Sequence, residues 1–375
     1  MLIILIIGFS QALILAGLVI TKKNKQQPDF FLSALFFLHG FTLFLGYMEI
    51  YNRANDFPYP FFISISVPFI MLHGPALWFY IKSITARRFV FKIKYLLHFI
   101  PFMLVLLMMS AGLYILPAEQ RIEIELSEAF KEEISFPIVM GLILVSTQAY
   151  FFWGLNLISN YRKRIKNYFS DISEMDLNWL KIVLISSVIF YGGISLFYFA
   201  DYIFGFVSYH VLQTTGYAYM ALMVLVLAYF GNKQGNIFQS QGILPHPEEV
   251  KEQPISMPEE AADADSRFTR ELLQCMETSK PYQNPELSLA SLAKELGVSP
   301  DYLSGILNGK LNRNFFDFVN HYRIEEFKRL CRETQNQNIT IMGLAWDAGF
   351  NSKATFNRVF KKATGMTPGE FQKAG

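Results

Sequence analysis

The side chains with the clearest chemistry lie near the C-terminus. Residues 351–375 hold five basic groups against Glu370 alone. Helical spacing puts Phe356, Val359 and Phe360 on one face and Lys353, Asn357, Arg358 and Lys361 on the other. A guanidinium, an amide and two ammonium groups on one face are donors suited to an anionic partner rich in acceptors. The chain has no P-loop, no Gly-x-Ser-x-Gly and no His-Glu-x-x-His. It therefore calls for no enzymatic activity, no metal and no cofactor. Cys275 and Cys331 are too few for a disulfide scaffold or a cysteine-based zinc site.

A second set of polar groups interrupts apolar sequence. Glu49, His73 and Asp201 are the candidates for sensing there, accompanied by His39, His98 and His210. Ionisable groups within apolar spans point to function by default. Without a metal-ligand spacing among the histidines, hydrogen bonding between helices is the plainer reading.

The elements that carry these groups fall into three parts. Of the 375 residues, 52% are hydrophobic and 17% charged, against about 25% charged in soluble domains. That excludes a simple cytosolic enzyme and a disordered chain. Residues 1–231 carry a net charge of +3, residues 232–265 carry −5 and residues 266–375 carry +4. The pattern predicts a membrane part, an acidic tether and a basic module.

Seven mostly apolar runs precede residue 232, at roughly 2–20, 30–50, 61–84, 95–116, 136–158, 180–199 and 209–230. A spanning helix needs about 20 such residues. The connections after the first, third and fifth runs hold 11 Lys and Arg, and the alternate connections hold 3. The positive-inside rule then puts the N-terminus outside and the C-terminus in the cytoplasm. The first run lacks a preceding positive region, so it reads as an uncleaved span rather than a signal peptide. The acidic outer connection 117–135 has helical apolar spacing at Ile122, Leu126, Ala129 and Phe130, which suits a short helix over the outer face, although a solvated loop is the plainer reading. Residues 232–265, with four prolines and many Glu and Gln, lack the apolar content to fold alone.

From residue 266 the pattern is that of a helical soluble domain. Leu289, Leu292, Ala293 and Leu296 share a helix face, Gly297 ends the helix, and Ser299-Pro300 starts the next. The arrangement recurs about 50 residues later, with Gly349 as breaker and Ser352 as cap. A long helix at roughly 315–333 joins the two helix-turn-helix units.

The run Gly349-Phe-Asn-Ser-Lys-Ala-Thr-Phe-Asn-Arg-Val-Phe-Lys-Lys-Ala-Thr-Gly-Met-Thr-Pro368 and the stretch Asn320-His-Tyr-Arg-Ile324 resemble the signature of the AraC/XylS transcription regulators. The resemblance covers roughly residues 266–373. It implies two helix-turn-helix units whose second helices enter successive major grooves, about 34 Å apart. It places Lys353, Asn357 and Arg358 at base-facing positions, where Arg pairs with guanine and Asn with adenine. Ser352, Lys361 and Lys362 complete the set in the second unit, and Asp301, Ser304, Asn308 and Lys310 form that of the first. Arg313 is a further phosphate candidate. The sequence departs from the pattern at Asp301, Ser304 and Gly305, which implies a weaker, more backbone-dominated contact by the first unit. Phe371-Gln372 also replaces the usual Tyr-Arg. The apolar runs resemble bacterial regulators that fuse several spans to such a module.

The sequence thus predicts an all-α chain: a seven-transmembrane-helix bundle over 1–231, a flexible linker over 232–265 and a cytoplasmic double helix-turn-helix DNA-binding domain over 266–375. The expected protein is a multi-pass regulator of a bacterial inner membrane. Its expected partners are promoter DNA, membrane lipid, RNA polymerase, a second copy of itself on DNA and an unidentified ligand or membrane partner. The alternative is a seven-span transporter or membrane enzyme with a degenerate helix-turn-helix tail.

Overall fold

The computed structural model describes residues 1–86, 89–205, 207–240, 259–333 and 338–374. Arg87 and Arg88, and residues 241–258 of the expected linker, lie outside the described residues. The described residues hold no β-strand; an isolated antiparallel bridge joins Phe169 and Ser288. Two compact units emerge. The first is Met1–Ser159 with Leu177–Gly242, and the second is Asn160–Asp176 with Ile243–Gly375.

The first unit contains α1 (Leu2–Ile20), α2 (Gln27–Ala54), α3 (Val67–Thr85), α4 (Ile100–Met109), α5 (Ala118–Ser127), most of α6 (Ser135–Ile165), α7 (Asn178–Phe204) and α8 (Tyr209–Ser240). All seven apolar runs are helical. Six of them have the length and apolar content to cross a membrane; α3 does not reach that apolar content. His73, Gly74, Pro75 and Lys82 lower it. Its second half is among the most enclosed parts of the unit, with Trp78, Tyr80 and Ile81 at most 2% exposed. A helix surrounded by other helices finds polar partners there, so it needs less apolar surface than one facing hydrocarbon. The acidic connection forms α5 and a short 3-10 turn, Ala129–Lys131, where a solvated loop is the plainer expectation. Glycines let α1 and α2 close up: a Cβ on Gly40 would lie 3.1 Å from that of Ala12.

The second unit contains α9 (Glu259–Thr278), α10 (Leu289–Glu295), α11 (Pro300–Gly305), α12 (Phe315–Arg332), α13 (Ile341–Asp347), α14 (Lys353–Thr364) and α15 (Pro368–Ala374). The helix starts from α10 to α14 have polar caps. Ser288, Ser299, Asn314, Thr340 and Ser352 all accept the amide three residues on, which satisfies an otherwise orphaned donor. The α10–α11 turn passes through Gly297 at φ +68°, and the α13–α14 turn through Gly349 at φ +96°. Leu272, Leu289, Leu292, Leu303, Leu307 and Phe318 build the core of the first helix-turn-helix. Phe327, Phe350, Phe356 and Phe360 pack as tilted and edge-on rings in the second, with centroids 4.8–5.7 Å apart.

Candidate nucleic-acid interface

The outward face of α14 is held by its inward one. Phe356 and Phe360 are fully buried against Phe327, while Lys353, Asn357, Arg358, Lys361 and Lys362 are exposed. Ser352 is spent on the helix start, since its hydroxyl accepts the Thr355 amide at 3.3 Å. Arg358 lies against the Phe316 ring, 6.0 Å from its centroid, and Lys362 faces Asp317 at 3.6 Å. Both contacts tie α14 to the first turn of α12. The ion pair is exposed, so it adds little stability and leaves Lys362 available to an anion.

In the first helix-turn-helix, α11 continues into a π-helical turn, Ile306–Lys310. Asp301 is exposed in the first turn of α11. Asn308 donates to Ser304 at the backbone oxygen (3.0 Å) and at the hydroxyl (3.2 Å). Lys310 faces Asp265 of α9 at 3.9 Å, and Tyr302 donates to the same carboxylate at 2.9 Å. Ser304, Asn308 and Lys310 are thus engaged with neighbours, whereas Asp301 and the outward side chains of α14 are exposed.

Two buried polar groups hold the connecting helix α12 to the segment that precedes the first helix-turn-helix. Arg323 of α12 is fully enclosed. Its Nε donates to the Tyr282 carbonyl (2.7 Å), and its Nη2 to the Asn284 carbonyl (2.8 Å) and the Ser170 hydroxyl (3.1 Å). Burial lowers its pKa to about 10, and Asp171 opposes that shift, so it is cationic at neutral pH. Glu326, 5% exposed, accepts from Arg329 Nη2 (2.9 Å), Lys280 (3.2 Å) and Gln283 (3.1 Å).

Hydrogen bonding from Arg329 is the main influence that pulls the Glu326 carboxyl from 4.5 down to about 2; burial opposes it and Lys280 assists. A folded pKa below the unfolded one contributes stability above pH 4.5 that is lost as pH falls toward 2. Glu326→Gln is therefore expected to destabilise the second unit by about 1–2 kcal/mol at neutral pH, discounted for solvent screening around Arg329. The penalty should vanish by about pH 2. Urea unfolding of both proteins from neutral pH down to that value checks this; a constant difference across the range would refute the assignment.

Sequence reasoning missed one part of this surface. Residues 166–171, in the connection between α6 and α7, thread along the helix-turn-helix units. The Lys166 carbonyl accepts the Phe316 amide (2.9 Å) and the Tyr168 carbonyl the Leu289 amide (2.9 Å). Both are first-turn amides, which no intrahelical carbonyl reaches. The Ser170 hydroxyl donates to Leu287 O (2.6 Å), the Ser170 carbonyl accepts from Asn320 (2.9 Å), and Asp171 accepts from Thr355 of α14 (3.2 Å). No local signal foretold it. The connection is basic at its start, which reads as the flank of an apolar span.

The candidate sensing residues have separate partners. Glu49 accepts from the Ser66 amide (2.9 Å), Gln213 (2.9 Å) and Tyr217 (2.6 Å). His73 meets Thr42 (3.0 Å) and packs edge-on against His39. Asp201 pairs with Lys131 (2.7 Å) and accepts the Val207 amide (3.1 Å). Each of the three is therefore its own bridge within the first unit, and they do not converge on one site. A cavity of about 370 Å³ opens between α4, α5 and α6, lined by apolar side chains such as Met108, Leu113 and Phe136 together with Glu125 and Glu133. Among the described residues no cluster of His, Cys, Asp and Glu could hold a metal ion.

Residues 292–374 match the family described as a helix-turn-helix domain. The arabinose operon regulatory protein of Escherichia coli is 30% identical over 98 residues, which is 26% of this chain and 32% of that protein. The uncharacterized transcriptional regulatory protein YesN of Bacillus subtilis is 33% identical over 92 residues, 24% of each chain. This chain thus spans only a quarter to a third of the length of those relatives. A solved structure of a Listeria innocua protein of unknown function is 24% identical and covers 28% of this chain and 95% of that one, with a TM-score of 0.25. Two capped helix-turn-helix units on one connecting helix, together with relatives that are transcriptional regulators, make the C-terminal region of this chain an AraC-type helix-turn-helix domain.

Proposed function

We propose that the chain is a membrane-bound, sequence-specific DNA-binding transcription regulator of a bacterial inner membrane. Residues 1–231 form the seven-span membrane part, with the N-terminus outside. Residues 232–265 are the tether, whose two ends continue α8 and open α9, and residues 266–375 work in the cytoplasm. The spans anchor the protein and pass on a signal, and Glu49, His73 and Asp201 are the groups through which packing between them responds. The partners are promoter DNA, membrane lipid, RNA polymerase and a second copy of the chain. Pairing on DNA raises the effective concentration of the second module.

One observation carries the reading. The exposed face of α14 presents Lys353, Asn357, Arg358 and Lys361, while its other face is locked into an aromatic core. A helix that reads base edges must be rigid and must offer donors outward. Six helices with enough apolar content to cross a bilayer support the membrane part.

Genome-wide binding by the full chain tests the reading. Arg358→Ala is expected to weaken binding at selected sites by about 1–3 kcal/mol, or roughly 5- to 150-fold, and to relax preference at one base pair. Unchanged affinity and unchanged preference would remove Arg358 from the base-reading set.

A further inference from the structure

The last turn of α6 and the docked connection bring their own cations to the second unit. Lys163, Arg164 and Lys166 line one side of an open cleft of about 510 Å³, and Asn308, Asn312 and Arg313 line another. The lining consists of cations and amides, with no carboxylate among the described residues. Lys166 also lies against the Phe316 ring, 5.2 Å from its centroid, on the same ring that Arg358 of α14 approaches. The cleft thus lies at the end of the first helix-turn-helix, and its Lys166 shares the Phe316 ring with Arg358 of the second.

We propose that the last turn of α6 and the connection that follows it form a third DNA-contacting element, whose cleft takes backbone phosphates of the duplex between the two major grooves. The inference rests on the DNA-binding reading above and adds a site to it. A phosphodiester is an anion with several acceptor oxygens, and amides with guanidinium and ammonium groups satisfy those oxygens together. Anionic lipid headgroups share this chemistry. DNA is favoured because half of the cleft belongs to the helix-turn-helix unit itself, and because Arg358 and Lys362 continue its charge along α14. Near Lys166 the positive charge is dense: burial lowers the Lys166 pKa first, and Lys362, Arg358 and Arg162 lower it further, against Asp317. The docking is built rather than incidental. Ser170 is 1% exposed, and the connection caps both α10 and α12. The cations thus stand at fixed positions.

The test uses the full chain in phosphatidylcholine nanodiscs and a fluorescent mixed-sequence duplex of about three helical turns, titrated across a salt series. Each phosphate contact contributes about −0.9 to the slope of log K against log salt. Replacing Lys163, Arg164 and Lys166 together by Ala is expected to reduce that slope by about 2–3 and to weaken binding at least tenfold at low salt. Lys163→Arg with Lys166→Arg should retain both slope and affinity, which separates lost charge from lost folding. An unchanged slope in the alanine variant overturns the proposal, and so does tighter binding, which would make the connection a block. Repeating the series in phosphatidylglycerol nanodiscs separates the sources. If the variant differs only there, the cations serve lipid and the proposal falls. If the unaltered chain binds no duplex at all, the DNA-binding reading itself fails.

Discussion

Replacing Arg323 by Ala is expected to destabilise the second unit by about 3–5 kcal/mol, the cost of breaking a buried charged network. The guanidinium is completely enclosed and donates to three backbone carbonyls, those of Tyr282, Asn284 and Ser170, and to the Ser170 hydroxyl. Alanine takes the guanidinium donor from the Tyr282 carbonyl, at a cost of about 1–3 kcal/mol if water cannot reach it, whereas Asn284 O keeps the Leu287 amide and the Ser170 hydroxyl keeps the Leu287 carbonyl. It also opens a void beside Phe350, whose ring centre lies 5.8 Å from the guanidinium carbon. Arg323→Lys should recover little. A lysine has one point of charge on a flexible stem and cannot span Tyr282, Asn284 and Ser170 as a planar fork does. Hydrogen exchange of the α12 amides in the full chain measures the effect. Protection within about 1 kcal/mol of the unaltered chain in the alanine variant would show that the bridge contributes no more than a surface contact.

Gly349→Ala should be almost as damaging, for a different reason. Its φ of +96° is one that side-chain-bearing residues rarely adopt. A Cβ there would also stand 2.2 Å from the Tyr282 carbonyl oxygen and 2.8 Å from the Gln283 Cα. Both are backbone atoms and cannot swing aside. Strain and overlap together should cost more than about 3 kcal/mol and abolish DNA binding, because the turn that aims α14 must shift. Gly297→Ala is the internal control. Gly297 sits at φ +68°, and a Cβ there would meet nothing within 4 Å, so only the conformational cost of about 1–2 kcal/mol remains. Comparing the unfolding midpoints and duplex affinities of the two variants checks this. Equal effects at the two glycines would mean that the close approach at Gly349 is without consequence.

The helical part of this architecture is legible because its signals are local. Ser299 and Ser352 cap helices where their sequence context puts them, Gly297 and Gly349 turn the chain, and Phe356 and Phe360 point inward at the expected spacing. Lys353, Asn357 and Arg358 are exposed as a readout helix requires, although α11 spends Ser304 and Asn308 on one another. The rest depends on distant partners. An arginine in an amphipathic helix gives no notice that it will be fully buried, because its acceptors are carbonyls 41 and 39 residues earlier. Ser170 and Asp171 look like ordinary loop residues until Leu287, Asn320 and Thr355 are placed around them. For α3, periodicity finds the helix, but composition alone does not say that neighbouring helices enclose it.

The capping of α10 and α12 by the earlier connection also orders events in time. Ser170 precedes its partner Leu287 by 117 residues, and Asp171 precedes Thr355 by 184. At about 5–20 residues per second, the ribosome takes roughly 6–23 s to supply the first partner after the connection is made. Contacts within the C-terminal helices are short-range and close quickly, whereas this long loop closes late. The nascent chain thus carries a finished strap with nothing yet to fasten, and the second unit reaches its final form only after Thr355 has been made.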